Sequence, residues 1–395
     1  MTVAGQQVGA VSPATRDDVV LRAEHVSVEY AGAAPVRAVR DVSLELRRGE
    51  ILGIAGESGC GKSTLAYALT RLLRPPAELT QGTIEFRGKD GSVVDLMALD
   101  PVALRRFRWT KVSMVFQSAM NALNPVASLR TQFADIFRAH VPQMNEDARE
   151  QRSRELLEMV GIDPGRLRGY PHELSGGMRQ RVIIAMALAL QPEIVVMDEP
   201  TTALDVVVQR DILDEIERLR EELGFSIIFI THDLSLLLEL SDRLAVMYAG
   251  EIVEYGPSVQ MGTAPAHPYT AGLLHSFPEL LGERQSLHGV PGSPPDLRQP
   301  IRGCAFTPRC GFAFEPCSSV HPALGPPAPG LGAAESARRR DSPAGWRVAC
   351  HLHNPDLRPA GLPAALTSGL AGPGPVSPEP DPVSGEPDAP GKESA

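Results

Sequence analysis

Lys62, Ser63 and Thr64 close a glycine-rich run, Gly56-Glu57-Ser58-Gly59-Cys60-Gly61-Lys62-Ser63-Thr64, whose residue types suit one task, the gripping of a phosphate chain. Gly56, Gly59 and Gly61 free the backbone so that successive N–H groups can face one anion. Lys62 adds a point charge for β- and γ-phosphates, and the Ser63 hydroxyl is an oxygen ligand of the kind Mg²⁺ prefers. A second constellation is Asp198-Glu199, two acids ending the apolar run Ile194–Met197. Burying carboxylates is costly unless something compensates them. Asp198 suits the orientation of Mg²⁺ through water, and Glu199 suits polarising an attacking water. The bland alternative is a strand end capped by two acids.

Five weaker signals accompany them. Gln117 follows the run Val112–Phe116, where a side-chain amide can reach Mg²⁺ and the reacting water. Leu174-Ser175-Gly176-Gly177-Met178-Arg179-Gln180 precedes a long apolar helix; Ser175 is a good N-cap, and Gly176 and Gly177 let a phosphate approach the helix start. His232, in Thr231-His232-Asp233, can hydrogen-bond a γ-phosphate, although a lone histidine after a strand is more often structural. Tyr30 can stack on a base, and Ala203-Leu204-Asp205 follows Glu199-Pro200.

These residues need a sheet to hold them. Strand-like runs occur at Val19–Tyr30, Val42–Leu46, Ile51–Ile54, Gly82–Phe86, Val112–Phe116, Ile194–Met197, Ser226–Ile230 and Leu244–Tyr248. Ile194–Met197 and Ser226–Ile230 are apolar throughout, as strands covered on both faces are. Helical patterns at Lys62–Leu73, Gly176–Leu190 and Val207–Leu223 alternate with them. Between Ser118 and Leu174 only helical signals persist (Leu129–His140, Glu146–Val160), which predicts a helical insert over 118–175. The expected class is α/β, a nucleotide-binding domain over 18–256 after a disordered tail at 1–17.

Beyond 256 the composition shifts to Pro, Gly and Cys. A small loop-rich module is expected over 257–353, with Pro322–Gly345 as a linker within it. From Asn354 ten of 42 residues are Pro, too few of the rest apolar to offset ordering entropy, so 354–395 reads as disordered. The net charge of −10, of which the last 25 residues carry −4, argues against a general nucleic-acid binder. No apolar run reaches membrane-spanning length, and no secretory signal opens the chain, so a cytosolic setting is expected.

Taken in order and spacing, the motifs over residues 19–256 resemble the ATP-binding-cassette ATPases: Tyr30 as the aromatic loop, Gly56–Thr64 as Walker A, Gln117 as the Q-loop, Leu174–Gln180 as the signature, Ile194–Glu199 as Walker B, Ala203–Asp205 as the D-loop and His232 as the H-loop. The resemblance implies a P-loop NTPase fold and ATP with Mg²⁺ as ligands. It also implies two cassettes closing head-to-tail, each signature loop covering the other's γ-phosphate. One set of motifs is present, so a second cassette, identical or related, is implied.

Tyr170-Pro171-His172-Glu173, Leu123-Asn124-Pro125, His267-Pro268-Tyr269-Thr270, Val290–Pro295 and Gly303–Cys310 look like the oligopeptide and dipeptide (peptide/nickel) importer branch and extend the resemblance to about residue 353. Gly311 after Cys310 and Ser118-Ala119 after Gln117 depart from its usual text. The branch implies two transmembrane permease subunits, an extracellular substrate-binding protein and a peripheral position on the cytoplasmic face. Nickel or another small solute is the alternative cargo; a soluble ABC ATPase acting on ribosomes or DNA is a remote one. Cys304, Cys310, Cys317 and Cys350, spaced x5, x6 and x32, suggest a metal centre in a cytosolic module. Four thiolates suit a [4Fe–4S] cluster, which the branch implies; zinc, with His351 or His353, and free thiols stay open.

Overall fold

The computed structural model describes residues 18–117, 122–202, 204–276, 290–328 and 345–357. The expected tail 1–17, residues 358–395 of the expected tail 354–395, residues 329–344 of the expected linker, Ser118-Ala119 and Ala203 lie outside them.

Two sheets organise these residues. The first is antiparallel, ordered β2-β1-β4-β5, from β1 (Val19–Tyr30), β2 (Val36–Arg47), β4 (Ala77–Arg87) and β5 (Val93–Asp95). The second is ordered β11-β10-β9-β3-β8-β7-β6, from β3 (Ile51–Ala55), β6 (Val112–Val115), β7 (Ile194–Asp198), β8 (Ser226–Ile230), β9 (Arg243–Tyr248), β10 (Glu251–Pro257) and β11 (Arg347–Val348). Its β6-β7-β8-β3-β9 portion is parallel. Those central strands are buried on both faces, which is why they read as unbroken apolar runs. Leu52, Ile54, Val196 and Ile230 point towards the antiparallel sheet and α1 (Lys62–Leu69); Ile51, Val195, Met197 and Phe229 point towards the helices on the other side.

α2 (Pro101–Thr110) leads into β6. Between 122 and 174 the described regular elements are helices, among them α3 (Leu129–His140) and α4 (Glu146–Met159), capped by Ser128 and Asn145. Leu129, Phe133 and Phe137 form the apolar stripe of α3 and pack with Leu156 and Leu157 of α4. α5 (Gly176–Ala187) and α6 (Val206–Leu223) start at the caps Ser175 and Asp205, and α7 (Leu234–Leu240) at Asp233. Beyond β10 come α8 (Ser258–Thr263), α9 (Pro268–His275) and α10 (Glu315–Ser319).

The helix expected over Lys62–Leu73 stops at Leu69 because Arg71 takes a positive φ of 54° and Pro75-Pro76 follow. β10 escaped the sequence reading because charges at Glu251 and Glu254 interrupt it. Glu254 is fully buried and accepts hydrogen bonds from the N–H groups of Ala266 and His267 and from Trp346 Nε1. That carboxylate ties the region after 257 to the sheet, and β11 extends the same sheet. The first part of the expected linker is likewise built in: Gly325 bridges Val348, and Ala328 is buried.

Candidate nucleotide site

The strand order β3-β8-β7-β6 sets four chain segments side by side at the carboxyl ends of parallel strands. The glycine loop leaves β3, Thr231-His232 leaves β8, Asp198-Glu199 ends β7, and Gln117 follows β6. Such strand ends are where open α/β sheets bind ligands. Residues far apart in sequence therefore meet without any long side chain having to reach.

Glu199 is the hub. Its carboxylate accepts from Gln117 Nε2 at 3.0 Å and from Thr202 Oγ1 at 3.0 Å, and faces His232 Nδ1 at 3.2 Å. Its backbone sits at φ 47°, in the left-handed region that non-glycine residues rarely occupy. The surroundings hold it there, since its N–H donates to Ile230 O at 2.8 Å. Burial raises its pKa, but hydrogen bonds from His232 and Thr202, with the charges of His232 and Lys62, pull harder and leave it below the usual glutamate value. The group is thus an ionised acceptor beside the cleft.

Asp198 behaves differently. It is wholly buried; Ser63 Oγ donates to its Oδ1 at 3.1 Å, while Oδ2 has no partner. Burial raises its pKa, the Ser63 hydrogen bond and Lys62 oppose this, and Glu199 adds to the rise. A buried carboxylate oxygen without a partner, beside a serine hydroxyl, fits a hard cation such as Mg²⁺, and the Gln117 side chain lines the same cleft as Ser63.

In the loop itself, Gly61 has φ 105° and no room for a Cβ against the Ala38 carbonyl, so only glycine serves there. Gly61 caps α1, whose first N–H groups are open to an anion. Lys62 Nζ folds back onto the carbonyls of Gly56 (2.7 Å) and Glu57 (2.9 Å). Ser58, Gly59, Gly61, Lys62, Ser63 and Thr64 line an open cleft with Tyr30, Gln117 and Glu199. Tyr30 Oη lies 3.1 Å from Thr64 Oγ1, which fixes the ring at the cleft rim. Gly56, Glu57 and Cys60 sit behind that wall; Cys60 is buried, and burial pushes its thiol pKa up.

Ser175, Gly176, Gly177 and Asp205 do not line the cleft. Ser175 and Asp205 accept from Met178 N and Val208 N as helix caps. A Cβ on Gly177 would strike Val208, so the starts of α5 and α6 abut each other. The cleft also has walls that sequence reasoning missed: Val36, Ala38 and Leu297 line it, and Thr202 holds Glu199. Nothing local in the sequence marks Leu297, which arrives from beyond the cassette; its carbonyl accepts from Arg37 N–H.

Cys304, Cys310, Cys317 and Cys350 line one small pocket with Phe306 and Phe312, and Cys304 N–H donates to Cys317 O at 2.8 Å. None is disulfide-bonded, and burial pushes the Cys310 thiol pKa up to about 12. Among the described residues, no group of three or more His, Cys, Asp or Glu side chains is drawn together tightly enough to hold a metal ion. His353 is committed elsewhere: Nδ1 accepts from Ala328 N–H at 2.9 Å, and Nε2 faces Ala266 O at 2.7 Å. His351 Nε2 faces Val320 O at 2.8 Å.

A family model described as ABC transporter matches residues 39–202, and one described as Oligopeptide/dipeptide transporter, C-terminal region, matches residues 253–317. The dipeptide transport ATP-binding protein DppD of Bacillus subtilis is 43% identical over 301 residues, covering 75% of this chain and 88% of that one. This chain belongs to the ABC transporter ATP-binding family. The oligopeptide transport ATP-binding protein OppD of Bacillus subtilis is 44% identical over 284 residues, 71% of this chain and 78% of that one. A bacterial ABC transporter cassette solved as a dimer superposes with a TM-score of 0.53 at 29% identity, covering 60% of this chain and 98% of that one. Membership makes the chain an ATP-binding ATPase that works with a second cassette and with membrane permease subunits. Among the described residues, no helix is long and apolar enough to cross a membrane.

Proposed function

We propose that this chain is the ATP-hydrolysing subunit of an importer of di- or oligopeptides, held on the cytoplasmic face of the membrane by its permease partners and supplied by an extracellular substrate-binding protein. The observation that carries the chemistry is the convergence of Gln117, Thr202 and His232 on Glu199 beside the glycine loop. Lys62 and the amides of Gly56–Thr64 hold the phosphates of ATP, and Tyr30 stacks on the base. Ser63, Asp198 and Gln117 hold Mg²⁺, which offsets phosphate charge when bound. Glu199 takes or orients the proton of the attacking water, and its low pKa suits orientation over full abstraction. His232 reaches the γ-phosphate. Ser175, Gly176 and Gly177 of a facing cassette close the site, since the same residues here lie off the cleft. The peptide cargo is supported by the C-terminal family match and by the names of the two relatives.

For the region over 257–353 we propose a [4Fe–4S] cluster on Cys304, Cys310, Cys317 and Cys350. The support is their shared pocket, assembled from positions 46 residues apart at the extremes. His353 has both ring nitrogens engaged, which leaves the four thiols as the ligand set the pocket offers. Iron and sulfide analysis of anaerobically purified protein tests this, with equimolar zinc or bare thiols as the contrary results.

The transport reading is tested by purifying the complex of this chain, its cassette mate, permeases and binding protein, then measuring ATP turnover with di- and oligopeptides or with nickel. Stimulation by peptides is expected; stimulation by nickel alone contradicts the peptide cargo.

A further inference from the structure

Glu57 poses an electrostatic problem. It places a carboxylate inside a loop whose business is to attract phosphate. The structure answers with a contact across 252 residues. Arg309 Nη1 and Nη2 donate to Glu57 Oε2 and Oε1 at 2.6 and 2.8 Å, a bidentate pair in which the Arg309 side chain is 4% exposed. Arg309 is itself fixed by the carbonyls of Pro291 and Val290 and by Tyr248 Oη, and its guanidinium lies 5.7 and 5.9 Å from the centres of the Tyr248 and Phe306 rings. A second strut meets the same residue: Glu57 N–H donates to Tyr269 Oη at 2.9 Å. Arg309 and Tyr269 belong to the stretch matched by the C-terminal family model, whereas Glu57 lies within the cassette match.

We propose that Arg309 and Tyr269 are positioning residues for the phosphate loop: Arg309 draws the Glu57 carboxylate off the phosphates and neutralises it, and Tyr269 fixes the loop's first turn through the Glu57 amide. The C-terminal region thereby completes the nucleotide site of its own cassette. The Leu297 contact to the cleft wall is a second product of the same packing. The assignment rests on Gly56–Thr64 being the ATP site.

The test uses the full chain and a non-hydrolysed MgATP analogue, with affinity read by titration and folding read by cooperative melting. Arg309→Gln is expected to weaken binding about tenfold, or about 1.4 kcal/mol, because it leaves a bare carboxylate in the loop. In the reassembled transporter the loss should appear in KM with kcat nearly kept. Adding Glu57→Gln removes the repulsion and should restore most of the affinity, a rescue that a purely structural role does not give. A folded Arg309→Gln chain of unchanged affinity overturns the proposal, as does failure of Glu57→Gln to rescue. If Arg309→Gln does not fold, Tyr269→Phe, which removes one hydroxyl from a kept ring, decides: weakened binding supports the strut and unchanged binding overturns it. Lys62→Ala separates the premises, since a loss there with normal Arg309→Gln binding defeats the clamp alone, and no loss there defeats the site.

Discussion

The Gln117 amide lies 3.0 Å from the Glu199 carboxylate, joining the ends of neighbouring strands β6 and β7 across the floor of the cleft. Gln117 also stands just before the span in sequence that carries α3 and α4.

Glu199→Gln keeps the shape and loses the charge. Turnover of the assembled complex should fall by about 10²- to 10⁴-fold, the range of a general base, while ATP affinity stays within about twofold of the parent. Steady-state rates and nucleotide titration on the same preparation check this. Undiminished hydrolysis removes Glu199 from its role.

Asp198→Asn should act on binding. It takes away a buried carboxylate oxygen that lacks a partner, next to the Ser63 hydroxyl. Titration of ATP with and without Mg²⁺ is the measurement. The parent should show a clear gain from the cation and the variant almost none; an equal gain in both contradicts the assignment.

Much of this site is legible in the sequence because its parts are local. Gly56–Thr64 needs only a strand before it and a helix after it, and Ile194–Glu199 is a strand ending in acids. Their side-by-side order follows from the parallel sheet. The rest is hidden because it depends on long-range packing. Arg309 carries no local mark of its pairing with Glu57, Leu297 is one apolar residue in a proline-rich stretch, and Thr202 is one hydroxyl in a turn. β10 is masked by Glu254, whose charge reads as surface until its three buried donors are seen. The cysteine spacing suggests a metal centre but leaves free thiols open; the fold brings the four to one pocket, while among the described residues no group is tight enough to hold a metal ion.

Acid should loosen the C-terminal packing through His267. This residue is buried, caps α9 by accepting from Tyr269 N–H, and has its pKa pushed down to about 3 by burial, helped by nearby His353. The carboxylate beside it, Glu254, accepts from its backbone N–H. The folded state therefore binds fewer protons than the unfolded one between pH of about 3 and about 6.5. The neutral ring's contribution is complete above the unfolded value and is lost as pH falls through that window. From pH 6.5 to 5 the loss amounts to about 1.6 kcal/mol. His267→Asn keeps a cap and removes the titration. Denaturant melts at the two pH values should show a smaller drop for the variant; equal drops contradict the argument.

The central claim is that this chain holds half of a catalytic site, with Ser175–Gly177 serving a facing cassette. Its most direct measurement is ATP turnover of the strictly monomeric chain against the same chain assembled with its cassette mate and permeases. The account predicts that the monomer binds MgATP and is almost idle while the assembly turns over. A monomer hydrolysing ATP at the rate of the assembly would contradict it.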